Sequence, residues 1–433
     1  MLIRRIKKLS PGRLLCLGFL SVIISGGVLL SLPISLETGK TIDLVDAMFV
    51  STSAVCVTGL STVEVGNTFS WFGELVIAIL IQVGGLGVAT MGILFVLLAK
   101  KKIGLKSRQL IKESMNFSNF QGLIKLLKQI FLITFGIEFI GLILSFFVFV
   151  SDHTFFDALW ISLFHSISSF NNAGFDVLGG SDSLLMYQSN AYLNIVTAIL
   201  VILGGMGFLV ELDIIKKRSW KQLMLQTKVV LFMTVSLLLL GTLLIKLTED
   251  ITWLGAFFQS VIARTAGFST FPLSNFTHAG LFVMIILMFI GASPGSTGGG
   301  IKTTTIFVIM LKSISSTFNL NRNTAFKRRI PDLVVTKALV VLFFGLLVVL
   351  GGTYIIMILE PSASMSDVLV EVTSAFATVG SSCGLTANLC MISKLVLMAI
   401  MFIGRLGPVT IASLWVFKES RNICYTEENI MIG

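Results

Sequence analysis

Apolar runs of about 20 residues recur in pairs along this chain, and each pair brackets a shorter stretch that is neither a span nor a polar loop. A run of about 20 crosses a ~30 Å hydrocarbon core as a helix. Backbone groups in lipid must bond within their own segment, so these runs are read as helices. The first members lie near 14–34, 129–150, 229–247 and 337–359, the second near 74–98, 191–212, 280–311 and 393–417. The stretches between them are 47–59, 159–174, 254–267 and 368–380. Each is too short to cross a bilayer and too apolar for a solvated loop, which suits a buried or re-entrant helix. The sequence thus divides into four repeats: 1–98, 99–212 with a basic loop at its start, 213–311, and 312–433 with a C-terminal tail.

Composition supports a membrane protein. The chain is 55% apolar and 12% charged, against about 25% charged in soluble domains. The net charge of +10 is not spread as a nucleic-acid surface would be: 26 of the 32 Lys and Arg fall in 1–13, 99–128, 213–228, 312–337 and 418–433. Placing those segments in the cytoplasm satisfies the positive-inside rule and puts both termini inside, with eight spans. The opposite side carries acids such as Asp43, Asp46, Asp176, Glu360 and Asp367, which either raise the local cation concentration or sit there only because Lys and Arg are excluded. The first span lacks a small-x-small cleavage site and reads as retained. The five cysteines show no paired spacing, and the three histidines are far apart, so neither a disulfide framework nor a metal cluster is expected. No nucleophile, base and orienting acid assemble, so an enzyme is not expected, nor a covalent cofactor.

Each short stretch ends in a small or polar cluster with one glycine: Val57-Thr58-Gly59, Asn172-Ala173-Gly174, Thr265-Ala266-Gly267 and Thr378-Val379-Gly380. A second glycine follows at Gly84, Gly204, Gly291 and Gly404, at distances of 25, 30, 24 and 24 residues. A helix that enters half-way and returns as extended chain leaves carbonyls without helical partners. Such backbone is tolerated at membrane depth only where it is buried in protein or lines water. Four such turns on one axis form a filter in which carbonyls replace an ion's hydration shell. Glycine tolerates the positive φ this geometry demands. The competing reading is four helix breaks or packing points.

Residues 291–305 contain five glycines and one proline. Each interior glycine costs a helix about 1 kcal/mol and proline about 3, so the third inner helix breaks there. Gly291, Ser293, Pro294, Gly295, Ser296, Thr297, Gly298, Gly299 and Gly300 then form a loop beneath the filter, a candidate gate. A passive packing kink is the alternative. The string nearly fits a phosphate-binding loop, but Ile301 separates Gly300 from Lys302 and no strand precedes it. Arg405, in register in the fourth inner helix, either holds the loop or repels cations. Lys302 is either a second gate charge or snorkels to the surface. Glu138 reads as a member of a structural ion pair, with Arg264 or another cation, ahead of an ion site. Arg264 reads as a brace for the third short helix, and His153 and His165 as polar caps. Segment 99–128 is basic and amphipathic, suited to anionic lipid or a regulatory subunit.

Together, residues 52–60, 170–175, 263–268, 377–380 and the glycine-rich 291–300 resemble the KtrB/TrkH/HKT superfamily of K+ transporters, its KtrB branch most of all. The resemblance covers essentially the whole chain. It implies four outer helix–pore helix–inner helix units in a pseudo-fourfold arrangement around one pore. It implies one filter glycine per unit, carried onto Gly59, Gly174, Gly267 and Gly380. It implies K+ uptake, with Na+ as an activator, across a bacterial cell membrane. It also implies a gating loop at 291–300, a positive residue at Arg405, and a homodimer whose contact includes the C-terminal Gly433. A cytoplasmic ring of KtrA-like subunits that bind ATP or ADP would open the pore. A secondary transporter of another cation or small solute is the alternative function.

Overall fold

The computed structural model describes residues 11–88, 90–91, 123–179, 183–319 and 323–413. Most of the basic segment 99–128 and all of the tail 418–433, with Gly433, lie outside the described residues.

Helices dominate. The longer ones, in chain order, are α1 (Pro11–Leu30), α2 (Leu44–Cys56), α3 (Trp71–Leu86), α4 (Leu123–Phe149), α5 (Phe155–Phe170), α6 (Ala191–Met206) and α7 (Phe208–Lys217). They continue as α8 (Leu225–Thr248), α9 (Trp253–Ile262), α10 (His278–Phe289), α11 (Thr303–Thr317), α12 (Asp332–Leu359), α13 (Met365–Ala377) and α14 (Met391–Leu406). One two-stranded hairpin, β1 (Thr324–Ala325) and β2 (Arg328–Arg329), precedes α12. Within α1, α4, α8 and α12 lie stretches long and apolar enough to cross a membrane. Their outward faces carry large apolar side chains such as Phe139, Leu239 and Phe343. Water would penalise such faces heavily, whereas hydrocarbon does not.

Polar residues set where the short helices begin. The side chains of Thr154, Thr252 and Ser364 accept from the backbone N–H of Asp157, Gly255 and Asp367. Each such cap stabilises a helix start by about 1 kcal/mol. This is why α5 and α13 begin at Phe155 and Met365, before the apolar stretches read from sequence at 159 and 368.

One packing node recurs four times. A Cβ at Gly26 would meet Ser51 and Leu80, at Gly141 Ser166 and Leu200, at Gly241 Ser260 and Leu287, and at Gly352 Ile400 and Val372. In every case a long helix touches the short helix and the next helix at a residue without a side chain. The serine hydroxyls donate back to the long helix, from Ser51 to the Ile23 carbonyl at 2.7 Å and from Ser166 to the Glu138 carbonyl at 2.6 Å. A second close approach joins the short helices to the helices that follow. A Cβ at Gly84, Gly204 or Gly404 would lie 2.0, 1.8 or 1.8 Å from the carbonyl oxygen of Val55, Phe170 or Phe376.

The second-member spans are not continuous. The third breaks between Phe289 and Thr303, where the glycine-rich string predicts it. The stretches read as 74–98, 191–212 and 393–417 also break, at Gly87, Gly207 and Gly407, with φ of 86°, 94° and 88°. A left-handed residue cannot continue a right-handed helix, and α6 and α7 meet at 97°. Each of these glycines closes a short string that begins at Gly84, Gly204 or Gly404, but a glycine costs a helix only about 1 kcal/mol, too weak a signal to place such a bend.

Gly204→Ala should lower the melting temperature in detergent by several degrees, since its Cβ overlaps a backbone oxygen that cannot move cheaply. Gly136→Ala, with nothing within 4 Å, should leave it unchanged or raised. Equal effects from both would remove the close-approach account.

Candidate functional site

The four cluster glycines converge. A Cβ at Gly59 would lie 2.2 Å from the Ala173 oxygen and 3.4 Å from the Gly380 Cα. At Gly174 it would lie 2.4 Å from the Gly267 nitrogen, at Gly267 2.6 Å from the Gly380 carbonyl carbon, and at Gly380 2.1 Å from the Thr58 oxygen. The contacts run from first turn to second, third, fourth and back to the first, which closes a ring. Backbone touches backbone, so none of the four positions has room for a side chain.

The short helices deliver these turns by left-handed residues at their ends: Val57, Asn172 and Thr378 have φ of 59°, 61° and 53°. Gly59, Gly174 and Gly380 are also left-handed, at 94°, 73° and 94°. Gly267 is not among the positive-φ glycines; there the neighbouring turn, not the dihedral, forbids a Cβ. Ser53 and Ser374 accept from the N–H of Gly59 and Gly380 at 3.0 and 2.9 Å, and pin the two turns to their own helices. Val57, Thr58, Asn172, Ala173, Thr265, Ala266, Thr378 and Val379 are all buried behind the ring. On one side of the ring is a cavity of ≈ 570 Å³ lined by all four glycines, with Glu64, Asp176 and Ser382 on its walls.

The glycine-rich loop lies against the other side. A Cβ at Gly298 would lie 3.3 Å from Thr265, at Gly299 2.6 Å from Thr378 and at Gly300 3.2 Å from Ala377. The Gly299 N–H donates to the Thr378 hydroxyl at 2.8 Å. Ser293 N–H and Thr297 Oγ1 donate to the Gly205 and Gly204 carbonyls at 3.0 and 3.1 Å, and Phe208 N–H donates to the Gly295 carbonyl at 3.1 Å. Ser296 Oγ donates to the Ser293 carbonyl, and Ser293 meets Thr303 at 3.1 Å. Gly291 packs against Gly299, which folds the loop on itself, while Pro294 is the residue before the left-handed Gly295. Lys302 turns inward: its Nζ donates to the Gly298 and Gly299 carbonyls at 2.7 and 3.2 Å. Arg405 donates to the Thr297 carbonyl and, from its other terminal nitrogen, to Gly84 and Gly85. One guanidinium therefore joins α14, the loop and the end of α3.

Other expectations need revision. Glu138 does not pair with Arg264. Its carboxylate accepts from Gln82 Nε2 at 3.3 Å and from Asn171 Nδ2 at 3.0 Å, while Arg264 among the described residues reaches only toward the Thr234 carbonyl at 3.5 Å. His165 is not a cap: it is buried within α5, 2.9 Å from Thr197 and packed against Phe149 and Phe268. Sequence reasoning also passed over Glu371, fully buried in α13, where it accepts from the hydroxyls of Ser382 and Thr386. An acid in a short apolar helix is itself a visible signal. The 2.6 Å pair between Asp46 and Lys394, which closes the seam between α2 and α14, gives none, since its members are 348 residues apart.

A helical protein whose turns meet in such a ring fits a membrane transport protein, and the model of the TrkH cation transport protein family matches residues 19–249 and 222–423. The chain belongs to that family and is an integral membrane protein. It is 37% identical to the Ktr system potassium uptake protein B of Bacillus subtilis, over 98% of this chain and 97% of that protein. It is 38% identical to the potassium/sodium uptake protein NtpJ of Enterococcus hirae, over 99% of this chain and 98% of that protein. The crystal structure of the potassium transporter TrkH from Vibrio parahaemolyticus has the same fold, with a TM-score of 0.72 at 20% identity, covering 92% of this chain and 84% of that one. These relatives are transporters, in agreement with the kinship read from the loop motifs.

Arg405→Ala should release the loop. Hydrogen bonds from a charged donor contribute about 1.5–3 kcal/mol each. Amide hydrogen exchange across 291–300 should therefore rise at least about tenfold. Wild-type protection in the variant would mean that Arg405 does not anchor the loop.

Proposed function

We propose that this chain carries K+ across the bacterial cell membrane by the uptake route, through the ring of Gly59, Gly174, Gly267 and Gly380. The observation that carries the reading is backbone contact among all four turns. Carbonyls held that close present oxygen without side chains, the ligand that replaces water around a large monovalent cation. The potassium uptake named for the relatives supports the same ion. The fold is then four outer helix–pore helix–inner helix repeats around one pore, divided at 98, 212 and 311, with eight spans and both termini in the cytoplasm. The cavity that holds Glu64 and Asp176 is the outer vestibule.

The loop from Gly291 to Gly300 is the gate. Seated against Thr265 and Thr378, it obstructs the route below the ring, and Arg405 and Lys302 hold it there. Its opening requires work from outside the described residues. A cytoplasmic ring of KtrA-like, ATP- or ADP-binding subunits supplies that work, consistent with the Ktr system named for the relatives. Na+ acts as activator, and a homodimer uses the C-terminal Gly433. A second reading, passage of Na+ as well as K+, is favoured by the name potassium/sodium uptake protein of one relative and by the single glycine per turn.

Rubidium flux into liposomes tests the proposal. Gly267→Ala or Gly380→Ala should cut the preference for K+ over Na+ by about tenfold or abolish flux. An unchanged preference with normal flux would refute the filter. Removal of 293–299 should raise flux in the absence of any regulatory subunit, whereas flux still silent without the regulator would remove the gate.

A further inference from the structure

The ends of α7, α8 and the β1–β2 hairpin bring together basic and aromatic side chains that the transport reading does not use. Lys228, in the first turn of α8, is only 8% exposed. Its ammonium sits 5.9 Å from the Trp220 ring centroid, and among the described residues its one acceptor is the Lys221 carbonyl at 3.4 Å. Among the described residues no carboxylate oxygen lies within 4.0 Å of it. A buried charge without a counter-ion is costly. Two acids of these elements are engaged elsewhere: Asp213 accepts from Met224 N–H and the Thr227 hydroxyl at 2.8 and 2.7 Å and pairs with Lys217 at 2.8 Å, and Asp332 faces Arg329 and Lys312 at 3.8 and 3.9 Å.

Around this ammonium the surface is built for an amphiphile. Trp220 packs edge-on against Phe326 at 6.2 Å, and Phe326 against Phe232 at 6.3 Å. Arg218, Lys221, Lys327 and Arg328 are exposed beside them. From Phe232 an apolar stripe continues along one face of α8 through Val235, Leu239, Leu243 and Leu247, each 46–73% exposed. Aromatic rings at the boundary between a basic end and an apolar stripe mark a membrane interface.

We infer that this corner is a binding site for one anionic phospholipid, its phosphate on Lys228 and the surrounding cations and an acyl chain along α8. The basic segments place the site on the cytoplasmic leaflet, where anionic lipid is enriched. Charge decides the occupant: a zwitterionic headgroup brings its own cation into a cluster of five, so its net charge does not compensate them, and inorganic phosphate leaves the apolar stripe bare.

The test follows thermal unfolding of the full-length protein in non-ionic detergent while phosphatidylglycerol, phosphatidylcholine or inorganic phosphate is added. Phosphatidylglycerol should raise the melting temperature, and the other two should not. Lys228→Gln should raise the lipid concentration for half the shift by about fivefold or more. Lys40→Gln, an exposed lysine away from the corner, should leave it unchanged. If Lys228→Gln does not fold, Lys221→Gln with Lys327→Gln gives the same readout. The site is overturned by an equal shift with phosphatidylcholine, by a shift from inorganic phosphate alone, by a half-point that does not move in the corner variants, or by an equal move in Lys40→Gln.

Discussion

Four backbone turns meet so closely that no Cβ fits between them, and the rest of the molecule is arranged to bring them there. A peptide backbone reaches another backbone only where both sides lack bulk, and here the requirement falls on four separate residues of one chain. The helices behind the ring repeat the same economy. Glycines in the long helices admit the short helices, and glycines in the following helices admit the short helices' terminal carbonyls. Remove either approach and the turns cannot converge, whatever their own sequence.

The same crowding decides what lies under the ring. The glycine-rich loop has almost no side chains to pack, so polar contacts hold it: the Thr378 hydroxyl, the carbonyls of Gly204 and Gly205, and the guanidinium of Arg405. A segment held mainly by hydrogen bonds, with little apolar burial of its own, can be exchanged between arrangements at modest cost. Arg405 also donates to the end of α3, so a shift of the loop and a shift of that helix end are mechanically joined.

Much of this was legible in the sequence because it depends on residue types that cannot be replaced. Four glycines at matched distances announced the turns, and five glycines with a proline announced the break before Thr303. What escaped was set by backbone dihedrals and by tertiary contact. The bends at Gly87, Gly207 and Gly407 rest on a positive φ that residue type alone does not announce; the Pro294 carbonyl crowds the turn at Gly207, whereas a Cβ at Gly87 or Gly407 would meet only a threonine hydroxyl at 3.8 Å. Glu138 looked like half of an ion pair, yet two amides from other segments, Gln82 and Asn171, satisfy it. Charge alone suggests a cation as partner; nothing local tells a carboxylate that amides will reach it first.

Binding of a heavy K+ substitute is the most direct measurement. Crystals of the protein grown in thallium or rubidium salts should give an anomalous peak on the axis enclosed by Gly59, Gly174, Gly267 and Gly380. Cation density bound elsewhere in the membrane region with none inside that ring would contradict the account.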